Sequence, residues 1–291
     1  MDHLEVFNAH RSLLFSLAYD MLGSVMDAED ILQETYLRWQ AVEEDVESPK
    51  AYLATIVTRL CINQLDSAKA RREEYIGPWL PEPLVMEEAE NPEQVAALAD
   101  TLSMALLVVL ESLTPLERAV YLLRKVFDYE YREIAAMVGK SEANCRQMVS
   151  RAQRRILEER PKVESLPYET QHAITQQFVQ AWITGDVDGL MALLSEDVVM
   201  QADGGGKVIA ARHWLSGMDE VIRVLIGVRK LAPPNTTGRF VTVNGQPGIV
   251  IETDGQPLNV VVLDIIGGRI RRIFHVLNPD KLRRVPRSKS K

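Results

Sequence analysis

Apolar positions recur at three- and four-residue steps through the first quarter of the chain and predict helices there. Leu4, Phe7, Leu14, Leu17, Ala18 and Met21 share one face of the first, and Gly23 follows where a left-handed residue closes a helix. A second is expected from about Asp27 to Glu44. Ala28, Ile31, Thr35 and Trp39 run along its buried side, and Asp30, Gln33, Glu34 and Arg38 line the other. Ser48-Pro49 then supplies an N-cap followed by proline at the first helical position. The helix it opens is apolar at Leu53, Ile56, Val57, Leu60 and Leu65, with Arg59, Asn63, Asp66, Lys69 and Arg72 outward. Helices on short connections make an all-α first domain over 1–75.

The periodicity stops after Tyr75. Pro78, Pro81, Pro83 and Pro92 forbid a continuous helix, so 76–92 reads as an extended acidic linker. Trp79 and Leu80 have no use in a passive linker and are expected to dock. A helical pattern resumes near Pro92 and runs through Leu113, and Thr114-Pro115-Leu116-Glu117 spells a capping box with proline at N1. Two further helices flank Gly139. Ser141 caps the second, whose apolar stripe is Cys145, Met148, Val149, Ala152 and Ile156. This is the pattern of a helix-turn-helix, and it places a second all-α domain over 93–162.

Beyond Pro161 and Pro167 the pattern is mixed. Helices are expected over Tyr168–Thr184 and Asp186–Ser195, then a strand VVMQA, a loop Asp203-Gly204-Gly205-Gly206-Lys207, and a helix from about His213 to Lys230. Strands GRFVTV, GIVIET, LNVVVLDII and RIRRIFHVL follow, joined by Asn244-Gly245, Asp254-Gly255 and Gly267-Gly268, dipeptides suited to two-residue hairpins. Helices first and an antiparallel sheet afterwards make a third, α+β domain over 168–285, before a basic tail over 286–291.

Composition narrows the classes. The chain has 291 residues, 46% hydrophobic and 25% charged, as a soluble globular protein does. No apolar run approaches the ~20 residues of a membrane span, and the first residues lack the order of a signal peptide, so a cytoplasmic protein is expected. Cys61 and Cys145 sit inside helical patterns and read as small buried thiols rather than redox sensors. The histidines have no ligand spacing, and no metal or other cofactor is expected. A net charge of −8 argues against a protein that coats DNA by itself, because phosphate contacts need local Lys and Arg. An acidic reader of DNA needs a larger partner to hold it there.

Local basic residues do occur. Lys140, Arg146, Arg151, Arg154 and Arg155 lie on or beside the second helix of the helix-turn-helix, with Ser141, Asn144, Gln147 and Ser150 as uncharged donors and acceptors. Cations for phosphates and Asn, Gln or Arg forks for base edges are what a major-groove helix needs. The faces carrying Asp27, Asp30 and Glu34, or Arg59, Asn63, Asp66, Lys69, Arg71 and Arg72, are ambiguous alone: each suits either a solvated face or a docking surface.

A resemblance bears on that ambiguity. DAEDILQETYLRW, followed by the proline-introduced AYLATIVTRLCINQLDSAKARR, resembles domain 2 of RNA polymerase sigma factors of the extracytoplasmic-function group, and SLTPLERAVYLLRKVFDYEYREIAAMVGKSEANCRQMVSRAQRRI resembles their domain 4. The resemblance implies that Asp27, Asp30, Gln33, Glu34 and Arg38 bind the clamp helices of the polymerase β′ subunit. Arg59, Asn63, Asp66, Lys69, Arg71 and Arg72 would then engage the −10 promoter element. The helix from Ser141 would read the −35 element, with the β flap as a further core contact. Three stretches, 75–83, 203–207 and 278–282, resemble signatures of the sigma-J-like subgroup, whose C-terminal extension has a cone-shaped SnoaL-like (NTF2-like) fold. That likeness implies regulation within the chain, with no separate anti-sigma protein expected. Its regulatory positions would be Trp79, Leu80, Pro81, Glu82, Asp203, Gly204, Gly205, Gly206, Lys207, Asn278, Pro279 and Asp280.

The residues themselves also suit a latch. The glycine loop lacks P-loop spacing, which makes phosphate cradling a poor reading. It suits close approach to the linker or to domain 2, with Arg212 or Arg271 as partners for linker acids such as Glu82. Two other classes remain for the C-terminal domain: a small-molecule sensor, or a cyclase- or isomerase-like enzyme using Asp203, His213, Asp264 and His275, with Phe178, Trp182 and Trp214 as walls.

Overall fold

The structure, a computed structural model, describes residues 2–73, 75–87, 102–160 and 166–288, with the side chains of 68–73 outside that description. The chain divides into two compact units: Met1–Glu74 with Leu106–Lys162, and Tyr75–Ala105 with Val163–Lys291.

The first unit is helical. Helices α1 (His3–Leu22), α2 (Val25–Gln40) and α3 (Pro49–Glu73) surround Leu14, Leu17, Tyr19, Met21, Leu53, Val57 and Cys61, all buried. Their ends follow capping chemistry. Asp2 accepts from Leu4 N, Ser24 from Asp27 N, and Gly23 takes φ 65° to close α1 on Tyr19 O. Of the helix expected from Pro92 to Leu113, 92–101 lies outside the described residues; α4 spans Met104–Leu110. The capping box at Thr114 and Glu117 is formed and starts α5 (Pro115–Lys125). The helix-turn-helix consists of α6 (Tyr131–Val138), Gly139 at φ 66°, and α7 (Glu142–Glu159) with Ser141 as N-cap.

Two arginines tie the pieces of this unit together. Arg118 on α5, only 3% exposed, donates to Met21 O at the end of α1 (2.7 Å) and pairs with Glu111 (2.7 Å). Burial lowers its pKa to about 10. Arg59 on α3 donates to Met137 O (2.8 Å) and Ala136 O (3.2 Å), carbonyls at the C-terminal end of α6 where the helix dipole is negative.

In the second unit, α8 (Tyr168–Thr184), α9 (Val187–Leu193) and α10 (Met218–Arg229) pack on a seven-stranded sheet of order β1-β4-β5-β6-β7-β2-β3. Its strands are β1 (Val85–Met86), β2 (Leu194–Asp203), β3 (Leu215–Ser216), β4 (Thr236–Val243), β5 (Gln246–Thr253), β6 (Gln256–Ile266) and β7 (Arg269–Val276). The sheet is mixed rather than antiparallel, because β2 runs parallel to β7. A long crossover from β2 through α10 and the meander makes that pairing possible, and local periodicity carries no trace of it. All three expected hairpin turns have both central residues at positive φ, as type I′ turns require.

Two segments differ from the periodic pattern. Helix α10 starts at Met218, not His213, since Leu215 enters the core as part of β3 and Gly217 at φ 90° redirects the chain. The stretch read as an extended linker contributes β1, which pairs with the edge of β4 (Val85 opposite Val243). One sheet face is closed by the helices through Phe178, Leu190, Val221, Leu225, Met200, Ile249, Val261 and Ile273. Alternation puts Val250, Val260, Val262, Phe274 and Val276 on the other, and these are buried too. Leu80, Met86, Leu282 and Val285 are the buried apolar residues of the segments hydrogen-bonded along it.

Candidate functional sites

The α7 face presents the residues expected to read DNA. Its stripe of Cys145, Met148, Val149, Ala152 and Ile156 is buried. Lys140, Ser141, Asn144, Arg146, Gln147, Ser150, Arg151, Arg154 and Arg155 are all exposed. Its cations are held in place but not used up. Arg146 pairs with Glu142 (2.7 Å) and stacks over Tyr131 (4.4 Å to the ring centroid), Arg151 lies 3.4 Å from Glu117, and Arg154 lies 4.0 Å from Glu158. Surface pairs of this kind contribute about 0–1 kcal/mol, so exchanging them for phosphates or base edges costs little. Ser141 has a structural job as well, since its hydroxyl accepts from Asn144 N.

On α2, Asp30, Gln33 and Arg38 are exposed, and Glu34 holds Arg38 at 2.7 Å one turn on. Asp27 is half-buried, capped through its own amide by Ser24 and bound by Gln64 Nε2 (3.0 Å). The −10 candidates are divided. Asn63 and Asp66 are exposed, Arg59 is engaged on α6, and the side chains of Lys69, Arg71 and Arg72 lie outside the described residues.

The second unit holds a clasp around Asp203, which is wholly buried. Its Oδ1 accepts from Tyr75 Oη (2.5 Å) and Gly205 N (3.0 Å), and its Oδ2 from Leu80 N (2.9 Å) and Lys281 Nζ (2.7 Å). The backbone carbonyl of Asp203 accepts from Leu277 N and Asn278 N. Lys281 also donates to Leu80 O and lies over the Trp79 ring at 4.2 Å and the Tyr75 ring at 5.4 Å. Asn278 Nδ2 donates to Tyr75 Oη (3.0 Å). Burial, and then the hydrogen bond to Asp203, push the Tyr75 phenol well above its ordinary pKa, so it stays a donor.

The glycines follow from this crowding. Gly205 (φ 58°) and Gly206 (φ 70°) are left-handed; a β carbon on the first would fall inside the Asn278 amide, and one on the second would lie 2.9 Å from Ile76. Lys207 pairs with Asp280, whose carboxyl is held below its usual range by that contact. Of the other expected positions, Leu80, Pro81, Glu82, Gly204 and Asn278 are buried, whereas Pro279 is exposed. The expected arginine partners lie elsewhere: Arg271 pairs with Asp197 (3.2 Å), and the linker acid Glu87 meets Arg239 (3.7 Å). The sequence reading left out Tyr75 and Lys281 as site residues, although the latter is the one cation two places beyond Pro279.

The acid–base groups proposed for an enzyme do not converge. Asp203 opposes Val276 on the linker-covered face and is saturated. Asp264 opposes Arg272 on that same face, and His213 is exposed. Only His275 reaches the helix-covered face, where Phe178 and Trp182 line a cavity with it; Trp214 is exposed and is not among the residues that line it.

Comparison with known proteins places the two helical regions and the fold. Residues 6–71 match the model for Sigma-70 region 2, and 103–156 match that for Sigma-70 region 4. The chain is 33% identical over 287 residues to the ECF RNA polymerase sigma factor SigJ of Mycobacterium tuberculosis, covering 94% of this chain and 91% of that one. It is 31% identical over 280 residues to the probable ECF sigma factor SigI of the same species, covering 95% and 93%. The crystal structure of M. tuberculosis SigJ superposes with a TM-score of 0.78 at 31% identity, covering 96% and 97%. The chain therefore belongs to the extracytoplasmic-function sigma factors of RNA polymerase, which direct promoter recognition and transcription initiation and are not enzymes. Like SigJ, it carries a SnoaL-like domain after region 4. Among the described residues, no helix is long and apolar enough to cross a membrane.

Proposed function

We propose that this sigma factor is regulated in cis, its C-terminal domain setting activity by gripping the linker between regions 2 and 4. The observation that carries this reading is the Asp203 clasp. A buried carboxylate takes a side-chain and a backbone donor from the linker, Tyr75 and Leu80, and binds Lys281 from the far end of the domain. In the working complex, Asp27, Asp30, Gln33, Glu34 and Arg38 engage the β′ clamp helices, and region 4 meets the β flap. Arg59, Asn63, Asp66, Lys69, Arg71 and Arg72 take the −10 element, while the α7 face takes the −35 element. Such a factor acts in the cytoplasm and needs no separate anti-sigma protein.

The grip has something to control. The two promoter elements lie roughly 25 base pairs apart, or about 85 Å of duplex. Here, by contrast, Arg59 of region 2 is hydrogen-bonded to the first helix of the helix-turn-helix. Regions 2 and 4 must part before both elements are read, and the linker limits how far they do.

Run-off transcription with purified core polymerase tests this, comparing the full chain with its Asp203→Asn and Lys281→Met variants. The expected result is a several-fold change in transcript in the same direction for both. Equal transcript from all three, at equal folded protein, would refute regulation through the clasp while leaving the sigma assignment intact.

A further inference from the structure

The cavity under α8 is independent of the clasp. It has a volume of about 90 Å³ and is lined by Phe178 and Trp182 of α8, Leu225 of α10, Ile249 and Ile251 of β5, and Val261 of β6. His275 closes its floor from β7. Two other polar groups in the lining are committed, Trp182 Nε1 donating to Leu225 O (2.9 Å) and Thr236 Oγ1 to Pro233 O (2.7 Å), and Thr237 is exposed to solvent. No carboxylate lines it.

His275 is different. Its Nδ1 is joined to Asn259 Nδ2 (2.8 Å), while Nε2 is buried and has no partner among the described residues. Leaving such an atom unpaired is costly, and the cost is recovered when something in the cavity bonds to it. Burial lowers the imidazole pKa to about 4, so the ring is neutral near pH 7. With the Asn259 amide donating to Nδ1, the Nε2 carries the proton and is a donor; with the amide turned over, it is an acceptor. A hydroxyl satisfies either arrangement. A carboxylate or an ammonium would enter an apolar cavity with no counter-charge, which excludes both.

We infer that this cavity is a binding site for a small, uncharged, mostly apolar alcohol or phenol whose hydroxyl meets His275 Nε2. Comparison with apolar protein cavities of about 150 Å³ that hold benzene limits the enclosed part to about four heavy atoms, so a larger ring protrudes from the mouth. The site binds and does not turn over its ligand, because a neutral imidazole without a carboxylate partner is a weak base there.

Cyclopentanol is a suitable probe, with cyclopentane, cyclopentanecarboxylate and cyclopentylamine as controls, titrated into the full-length protein. Imidazole ¹⁵N shifts of His275 and the thermal midpoint of the C-terminal unit are the readouts. Saturable His275 shifts and a raised midpoint are expected with the alcohol, about tenfold weaker binding with cyclopentane, and none with the two ions. His275→Leu should erase the preference for the alcohol over the hydrocarbon. Ile251→Phe, which fills the space and leaves the histidine in the sequence, should abolish binding of both and keeps the test open if the first variant fails to fold. No saturable shift up to about 50 mM alcohol would mean that water alone serves Nε2, and the inference falls. Binding unchanged in both variants would place the probe elsewhere and overturn it equally.

Discussion

On α7, Arg146, Arg151, Arg154 and Arg155 stand at the surface, and the glutamates beside three of them sit on the same helix or the neighbouring α5. Around Asp203 the charges are few and enclosed, one carboxylate and one ammonium with a neutral phenol beside them, each with several partners. The first arrangement leaves its cations available at little cost. The second consumes its charges in holding the chain's own backbone, the amides of Leu80 and Gly205 included. Charge kept for a partner outside the chain stays exposed and loosely paired, and charge that fixes the chain's own path is buried and saturated.

The largest expected effect tests the buried half of this contrast. Asp203→Ala strands Lys281 in a mostly buried site and should cost the C-terminal unit about 3–5 kcal/mol. Denaturant unfolding measures it, and hydrogen exchange should show the amides of Leu80 and Leu84 losing protection together. A cost under about 1 kcal/mol would remove the clasp from the account.

Arg118 asks whether burial, rather than the unit, decides. It lies in the first unit but is enclosed like Asp203, so Arg118→Ala should destabilise that unit by about 2–3 kcal/mol. A change within about 0.5 kcal/mol would mean that the contrast follows the unit and not the burial.

For the exposed half, Arg146→Ala should leave stability within about 0.5 kcal/mol of the parent. Binding of holoenzyme to promoter DNA should nevertheless weaken by about 1–3 kcal/mol and lose selectivity at one −35 position. A filter-binding or fluorescence titration against single-base promoter variants checks both parts. A uniform loss across all sequences would reassign Arg146 to phosphate.

A smaller effect comes from His275, whose folded pKa of about 4 lies below its ordinary 6.5. The unfolded chain takes up the proton first as pH falls. Stability of the C-terminal unit is therefore fully present above pH 6.5 and declines towards pH 4, by at most about 1.4 kcal/mol per unit. His275→Leu should flatten that slope between pH 6.5 and 5, and an unchanged slope would assign it to other groups. The smallest effect is none. Cys61 and Cys145 are buried free thiols whose pKa burial raises, so neither reductant nor mild thiol reagent should alter folding or transcription.

What could be read in the sequence was local. Ser141, Gly139 and the Cys145–Ile156 stripe define α7 within one stretch of chain, and three dipeptide turns define the meander. Trp79 and the glycines at 204–206 stood out because each breaks a local rule. Tyr75 and Lys281 did not, because they meet Asp203 across 128 and 78 residues. Spacing on one helix or strand cannot encode such a meeting. The same holds for the parallel β2–β7 pair and for β1, two residues in a proline-rich stretch whose strand character comes from the edge they join. His275 was visible as one of four scattered acid–base candidates, and its partner Asn259 only as a polar residue in an apolar strand.

The second unit is assembled from two pieces of chain, with Leu106–Lys162 of the first unit lying between them. On the ribosome this fixes an order. Regions 2 and 4 emerge complete while the linker still lacks its companions, and the clasp closes only after Asn278 and Lys281 are made, roughly 120 residues later. At about 5–20 residues per second, each new molecule passes some 6–24 s with both promoter-reading regions synthesised and the linker ungripped. On the cis-regulated reading proposed above, newly made protein can meet polymerase before the clasp that sets its activity has formed, and the age of a molecule becomes a variable in that activity.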